Sequence, residues 1–246
     1  MMAQNLPLPP DIQAISGERP LALFLDFDGT LIDIAPTPDG ITVPPDLAAR
    51  LTSLAEQLEG RLALVSGRAI PDLQDHLGIV GIACAGSHGS DCRAADGTPI
   101  GDEPDALSDE VLHEVGAFAA ANGFALEDKP HGTALHYRAN PELEEQGLAF
   151  AHALALQHGL AVKRGKRVIE LVAQGADKAG AVRNLMQFAP FAGAFPVFVG
   201  DDITDEDGMR AAVEMGGFGI AVGDRPSENA VYALANPAAV QQWLHL

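Results

Sequence analysis

The chain has 246 residues, of which 47% are hydrophobic and 20% charged, the make-up of a globular protein with a sizeable core. Its formal charge of −19 sets an average field that repels polyanions, so nucleic acid is not expected as a partner. No run approaches the roughly 20 apolar residues that span a bilayer, no basic-then-apolar leader is visible, and two cysteines, Cys84 and Cys92, offer no disulfide framework or zinc spacing; a cytoplasmic, monomeric protein without a membrane partner is expected.

Residues 1–20 are rich in proline and weakly patterned, which predicts a loose lead-in. The run Leu21–Leu25 has no polar alternation and reads as a strand covered on both faces. Asp46 is placed to cap a helix with Leu47, Leu51, Leu54 and Leu58 on one face, ended by Gly60. Arg61–Val65 reads as a second strand stopping at Ser66-Gly67-Arg68, residues 70–77 as a short helix, and Gly81–Ala85 as a third strand. This β-α-β-α-β order predicts a parallel, doubly wound sheet.

The pattern changes after about residue 104. A helix carries Leu107, Val111, Leu112, Val115 and Phe118, and short strands follow near 124–129 and 133–138. Asn140 and Pro141 begin another helix by N-cap and first-turn rules, with strands after it near 160–164 and 167–172. Consecutive strands at hairpin spacing imply an antiparallel sheet. The parallel pattern resumes with a helix from Asp177, a strand over Pro196–Gly200, a helix from Thr204, a strand near 218–222 and a last helix ending at Trp243. The expected architecture is an α/β core, residues 1–103 and 175–246, interrupted by an inserted α+β domain, residues 104–174.

Four places carry chemistry. Asp26 and Asp28 lie two apart at the end of the first strand, where i and i+2 side chains share a side and where open α/β sheets place their ligands. Gly29-Thr30 then turns the chain away. A carboxylate can form an aspartyl-phosphate, and phosphoryl transfer needs a hard cation, for which Mg²⁺ suits carboxylates, water and substrate oxygens. The second acidic cluster, GDDITDED at 200–207, supplies Asp201 and Asp202 at the same sheet edge. Thr204, Asp205, Glu206 and Asp207 are open to a second explanation, as a cap suited to the helix dipole. Ser66 can donate to a phosphoryl oxygen, and Lys178 opposes the dipole at a helix start, which a neighbouring phosphoryl group would explain. Either alone is more often a turn residue or a solvated lysine.

In order and position, DFDGT, Ser66, Lys178 and GDD…D resemble the signature of the haloacid-dehalogenase-like phosphatases. The resemblance implies a Rossmann-like core with an αββαββ cap, Asp26 as nucleophile, and Asp28 as general acid for the leaving oxygen and then base for water. It implies that Ser66 and Lys178 hold the phosphoryl oxygens. It also implies Mg²⁺ bound by the Asp26 carboxylate, the Asp28 carbonyl and Asp201, with Asp202 and Asp205 in support. The strings VSGR at 65–68, GSHG at 86–89, EDKPHGTALHYR at 127–138, GKRVIEL at 165–171 and GDDITDE at 200–206 are similar to those of trehalose-6-phosphate phosphatases. That similarity implies trehalose 6-phosphate as a small-molecule substrate. Arg68, His88, Lys129, His131, His136, Arg138 and Glu170 would then touch the disaccharide or help close the cap. Alternate cap residues such as His136 and Arg138 are also explained by a solvated strand face, Glu170 by an anchoring ion pair, and GSHG by a glycine-rich turn. Competing readings are a phosphatase of sucrose phosphate or mannosyl-glycerate phosphate, a phosphomutase, and a catalytically silent sugar-phosphate-binding regulator.

Overall fold

A computed structural model describes residues 6–35, 37, 40–78, 81–101, 106–129, 132–165, 167–173 and 177–246. Contacts divide the chain into two units, Met1–Glu103 with Asp177–Leu246, and Pro104–Ala176.

The first unit opens on α1 (Ile12–Glu18), then β1 (Leu21–Leu25), α2 (Leu47–Gln57), β2 (Leu62–Val65), α3 (Ile70–Leu77), β3 (Ala83–Gly86), a 3₁₀ turn at Ser87–Gly89 and β4 (Asp91–Arg93). The second unit consists of α4 (Asp109–Asn122), β5 (Ala125–Lys129), β6 (Gly132–His136), a 3₁₀ turn at Pro141–Leu143, α5 (Glu144–His158), β7 (Leu160–Gly165) and β8 (Val168–Ala173). The first unit then resumes with α6 (Lys178–Leu185), β9 (Phe195–Gly200), α7 (Asp205–Glu214), β10 (Phe218–Val222), β11 (Ala230–Leu234) and α8 (Pro237–Trp243).

Among the described residues, seven strands form the first sheet in the order β11-β10-β9-β1-β2-β3-β4. All pairings are parallel except that of β4 with β3. The strand order reverses at β1, which has β2 on one side and β9 on the other; such a switch point opens a ligand crevice beyond the strand ends. The apolar run of β1 is buried throughout because each face has its own cover. Leu21, Leu23 and Leu25 pack with Leu47, Leu51 and Leu54 of α2 and Leu73 of α3. Ala22 and Phe24 pack with Val182 and Leu185 of α6 and Met209 of α7. This is a doubly wound, Rossmann-like α/β sheet, as the β-α-β-α-β order predicted, with β1 covered on both faces as its continuous apolar run predicted.

In the second unit the sheet order is β5-β6-β8-β7, antiparallel throughout. Leu135, Ile169 and Leu171 pack with Val111, Val115, Ala151 and Leu154 of its two helices, and Phe118 stacks on Phe150 with ring centroids 3.8 Å apart. None of the described helices is long and apolar enough to cross a membrane.

Several local expectations differ from what forms. The lead-in holds α1: Asp11 accepts from Gln13 N at 2.8 Å, and Ile12 and Ile15, one turn apart, are buried in the core. Asp46 stands at the N-cap of α2 without a capping bond, because its carboxylate accepts from Arg50 one turn on, at 2.7 Å. Asn140-Pro141 starts a 3₁₀ turn, and α5 begins at Glu144. Strands β4 and β11 were not expected: β4 is three residues long with half-exposed ends, and β11 has exposed or half-exposed residues at its centre, so neither shows the apolar run of a covered strand.

Candidate active site

Register brings the motifs to one edge. Leu25 is paired with Leu64 on one side and Val199 on the other, so Asp26, Ser66 and Asp201, lying just beyond these residues, leave the sheet together at its carboxyl edge. Asp26 N donates to Val199 O at 3.0 Å, which extends the ladder by one residue and fixes the backbone of the acid. Gly29 turns the chain at φ +84°, and a Cβ there would lie 2.3 Å from an Asp201 carboxylate oxygen. The glycine of DFDGT is thus required by conformation and by the approach of the second acidic loop. Thr30 Oγ1 donates to Asp201 Oδ1 at 3.4 Å.

Lys178 is the hub. Asp177 caps α6 by accepting from Gly180 N at 2.7 Å, which aims the first residue of the helix into the site. The Lys178 ammonium donates to Asp26 Oδ1 at 2.7 Å and Asp205 Oδ1 at 2.5 Å, with all three side chains buried. Burial alone would depress the lysine, but Asp205 and Asp26 outweigh it and hold the ammonium firmly charged. Burial, then Asp205, raise the Asp26 carboxyl well above the carboxylate range against the pull of Lys178. Burial, then Asp205 and Asp202, push Asp201 up to about 6.

Carboxylate oxygens of Asp26, Asp201 and Asp205 lie within 4.8 Å of one another. With all three ionised they face the single Lys178 ammonium, which leaves an excess of two negative charges where Asp26 and Asp205 are buried and Asp201 half-buried. A divalent cation would balance that excess, and an all-oxygen donor set suits a hard one. The residues present therefore fit a metal site. Asp202 lies outside this trio: its carboxylate accepts from Ile203 N at 2.7 Å, while its own N–H donates to Asp205 Oδ2 at 2.8 Å. Asp205 thereby ties the lysine to the loop, a larger task than capping α7.

Asp28 is engaged with Arg68. Arg68 Nε donates to Asp28 Oδ2 at 2.6 Å and Nη2 to Oδ1 at 2.8 Å, while Nη1 donates to Asp72 of α3 at 2.9 Å. This two-pronged geometry is the strong form of the pair. Bonding to Asp28 lifts the guanidinium further from any loss of its proton. Ser66 is buried at the end of β2 and its Oγ accepts from Arg68 N at 3.2 Å. His88 N donates to Ser66 O at 2.9 Å, and a Cβ on Gly67 would lie 2.7 Å from the His88 ring, so GSHG folds its histidine over the Ser66–Arg68 turn. His88 holds φ +59°.

In the second unit, Glu127, Ala134, Glu170 and Lys163 stand opposite one another across the four strands, and His136 follows two residues after Ala134 on the same face. His136 Nε2 lies 2.7 Å from Glu127 Oε2. Glu170 is buried. Arg138 lies past the end of β6, exposed, its carbonyl accepting from Arg167 at 3.4 Å. Lys129 ends β5 opposite Gly132; its side chain, and His131 entirely, lie outside the described residues.

Sequence reasoning passed over Asp72, Arg225 and Asn229. Arg225 bonds the 201–206 loop, and Glu206 accepts from Arg225, Asn229 and the backbone at 228–229. Glu206 is therefore more than a dipole-suited residue. Burial works against its charge, yet bonds from Arg225, Ser227 and Asn229 hold its carboxyl below the usual range. The one available signal was GDRPSEN at 223–229, a polar turn in which no single residue stands out.

The trehalose-phosphatase family profile matches residues 24–237. The chain is 36% identical to a trehalose-6-phosphate phosphatase of Escherichia coli over 92% of this chain and 85% of that one. It is also 36% identical to a probable trehalose-phosphate phosphatase of Sinorhizobium fredii, over 89% and 84%. The fold is similar to the C-terminal domain of C. albicans trehalose-6-phosphate phosphatase (TM-score 0.77, 22% identity, 98% of each chain). It is also similar to a haloalkanoate-superfamily phosphatase of Bacteroides thetaiotaomicron (TM-score 0.70, 17% identity, 97% of each chain). With the family profile spanning most of the chain and a close relative aligned along most of its length, the chain belongs to the trehalose-phosphatase family, and its fold is that of the haloalkanoate-superfamily phosphatase above.

Proposed function

We propose that the chain hydrolyses trehalose 6-phosphate to trehalose and inorganic phosphate through an aspartyl-phosphate on Asp26, as a Mg²⁺-dependent monomer of the cytoplasm. The observation that carries this reading is the buried Asp26 carboxylate, held by Lys178 beside Asp201 and Asp205 at the switch point of the sheet. In the first step an Asp26 oxygen attacks phosphorus, the bond from phosphorus to the sugar oxygen breaks, and Asp28 gives its proton to the departing oxygen. In the second, Asp28 takes a proton from water, which attacks the acyl phosphate and frees Asp26. Lys178 and Ser66 hold phosphoryl oxygens; the ammonium is already fixed by two carboxylates and need not reorganise during transfer. Asp26, the Asp28 carbonyl and Asp201 would hold Mg²⁺, with Asp205 and Asp202 in support. When bound, Mg²⁺ supplies positive charge to the transferring phosphoryl group. Residues 104–174 act as the cap, with Lys129, His131, His136, Arg138 and Glu170 recognising the disaccharide together with His88 and Arg68 of the core.

The test is phosphate release from trehalose, sucrose, glucose and mannosyl-glycerate phosphates with Mg²⁺ and with chelator. Trehalose 6-phosphate should give the highest kcat/KM, chelator should stop turnover, and Asp26→Asn should remove it from a folded protein. A higher kcat/KM for another member of the panel would refute the substrate; substantial turnover by Asp26→Asn would refute the nucleophile.

A further inference from the structure

The structure assigns to Arg225 and Glu206 the task of positioning the loop that carries Asp201, an inference that rests on the metal-dependent reading above. β9 ends at Gly200 and α7 begins at Asp205, so residues 201–204 lie between two regular elements and lack the full bonding of either. Arg225, in the loop after β10, reaches this stretch from outside. Its Nε donates to the Asp201 carbonyl at 3.1 Å, and its Nη2 to the Asp202 carbonyl at 2.9 Å and to Glu206 Oε1 at 2.7 Å. Its Nη1 donates to the Pro226 carbonyl at 2.9 Å, which orients the fork from its own loop.

Glu206 completes the brace. Its Oε2 accepts from Glu228 N at 3.2 Å, Asn229 N at 3.1 Å and Asn229 Nδ2 at 3.0 Å. One carboxylate in the first turn of α7 thus binds both the arginine and the chain leading into β11. The guanidinium is planar and always charged, so two consecutive carbonyls and a carboxylate are fixed relative to one another by a single rigid group. Those carbonyls belong to the peptide planes that follow Asp201 and Asp202, and they set the direction in which Asp201 leaves the backbone. The positive charge also offsets a loop that carries Asp201, Asp202, Asp205, Glu206 and Asp207 within seven residues.

Arg225 reaches the nucleophile only at several removes, through Asp202, Asp205 and Lys178. Asp26 is held by Val199 O and Lys178, and Lys178 by Asp205. Loosening the brace should therefore weaken cation binding first and leave phosphoryl transfer near wild type once the cation is saturating. A residue that merely stabilises the fold would not separate these two quantities.

The experiment measures Mg²⁺ binding without substrate, by isothermal titration calorimetry, for the wild type, Arg225→Ala, Arg225→Lys and Glu206→Gln, with circular dichroism to check folding. An aryl phosphate assay across Mg²⁺ concentrations gives the rate at saturation. Outer residues that orient metal ligands are worth about 10- to 100-fold in affinity; Arg225→Ala should lose about 10-fold or more, with a smaller loss for Arg225→Lys, which keeps the charge but not the fork. Glu206→Gln should also weaken binding, and it preserves side-chain shape if Arg225→Ala does not fold. Folded variants that bind Mg²⁺ within about twofold of the wild type overturn the inference, as does a lower saturated rate at unchanged affinity. A wild type that binds no Mg²⁺ overturns the metal reading itself and the inference with it.

Discussion

The parallel sheet of the core and the antiparallel sheet of the inserted unit handle charge in opposite ways. At the core edge Lys178, Asp26 and Asp205 are buried and bonded to one another. In the inserted unit, the pair His136–Glu127 is 35% and 50% exposed, and Arg164–Glu144 lies in solvent. A strand covered on both faces ends in a dry crevice, so whatever ionises there must be matched on the spot. A sheet covered by helices on one face can hold polar groups at little cost where its other face meets solvent, as at His136 and Glu127, though not at the buried Glu170. Stability should therefore be sensitive to charge at the core edge and nearly indifferent to it at the exposed pairs of the second sheet.

The largest effect should come from Lys178→Met. Removing the cation of a buried pair typically costs about 3–5 kcal/mol, because the partner is left uncompensated; here two carboxylates lose it. Urea unfolding of the metal-free protein at neutral pH measures the loss, and a change below about 1 kcal/mol would show that water or protons already satisfy the trio. The sign of the pH dependence follows from Asp201. Its folded value of about 6 exceeds the ordinary 3.8, so between these values the folded state binds more protons and metal-free stability falls as pH rises. Mg²⁺ should flatten that slope, because a bound dication replaces the proton.

Next in size is Arg68→Ala, which tests the boundary between the two regimes: the Arg68 side chain is 9% exposed but that of Asp28 is 32%. If the fork aims Asp28 at the leaving oxygen, turnover of a sugar phosphate should fall by about 10²-fold, the lower end of what acid–base help supplies. An aryl phosphate, whose oxygen leaves without a proton, should lose much less. Equal losses on both substrates would show that Arg68 supports the fold and not the proton transfer.

Much of this contrast was legible beforehand. The unalternated run Leu21–Leu25 announced a strand covered twice, and acids directly after it announced the crevice. Short strands in hairpin spacing announced the second sheet. What could not be read was pairing across long separations. Nothing near Lys178 in sequence reveals Asp26, 152 residues away, and nothing in VSGR reveals that its arginine clasps Asp28. Glu206 looked like a helix-start acid because its true donors, Arg225 and Asn229, lie in a turn about 20 residues on. β11 escaped because its central residues Val231, Tyr232 and Ala233 are partly exposed, which erases the run that marked its neighbours.

The smallest effects are expected on the second sheet, where stability and recognition should separate. Exposed ion pairs are worth about 0–1 kcal/mol, so His136→Ala should shift the unfolding free energy by less than about 1 kcal/mol. If this face recognises the sugar, Arg138→Ala and Glu170→Ala should lower kcat/KM for trehalose 6-phosphate by about 1–3 kcal/mol, the cost of leaving a hydrogen-bonding partner unmet. An aryl phosphate has no sugar hydroxyls to satisfy, so its slower hydrolysis should be unchanged in the same proteins. Glu170 is the sharper probe because, unlike Arg138, it is buried and stands opposite Lys163 across β7 and β8. A large loss of stability in Glu170→Ala, with both substrates falling together, would make it an anchor of the sheet, and charge would then be costly in both regions. A selective loss on the disaccharide at unchanged stability would leave the contrast intact, with chemistry on the charges of the core edge and selection on the second sheet.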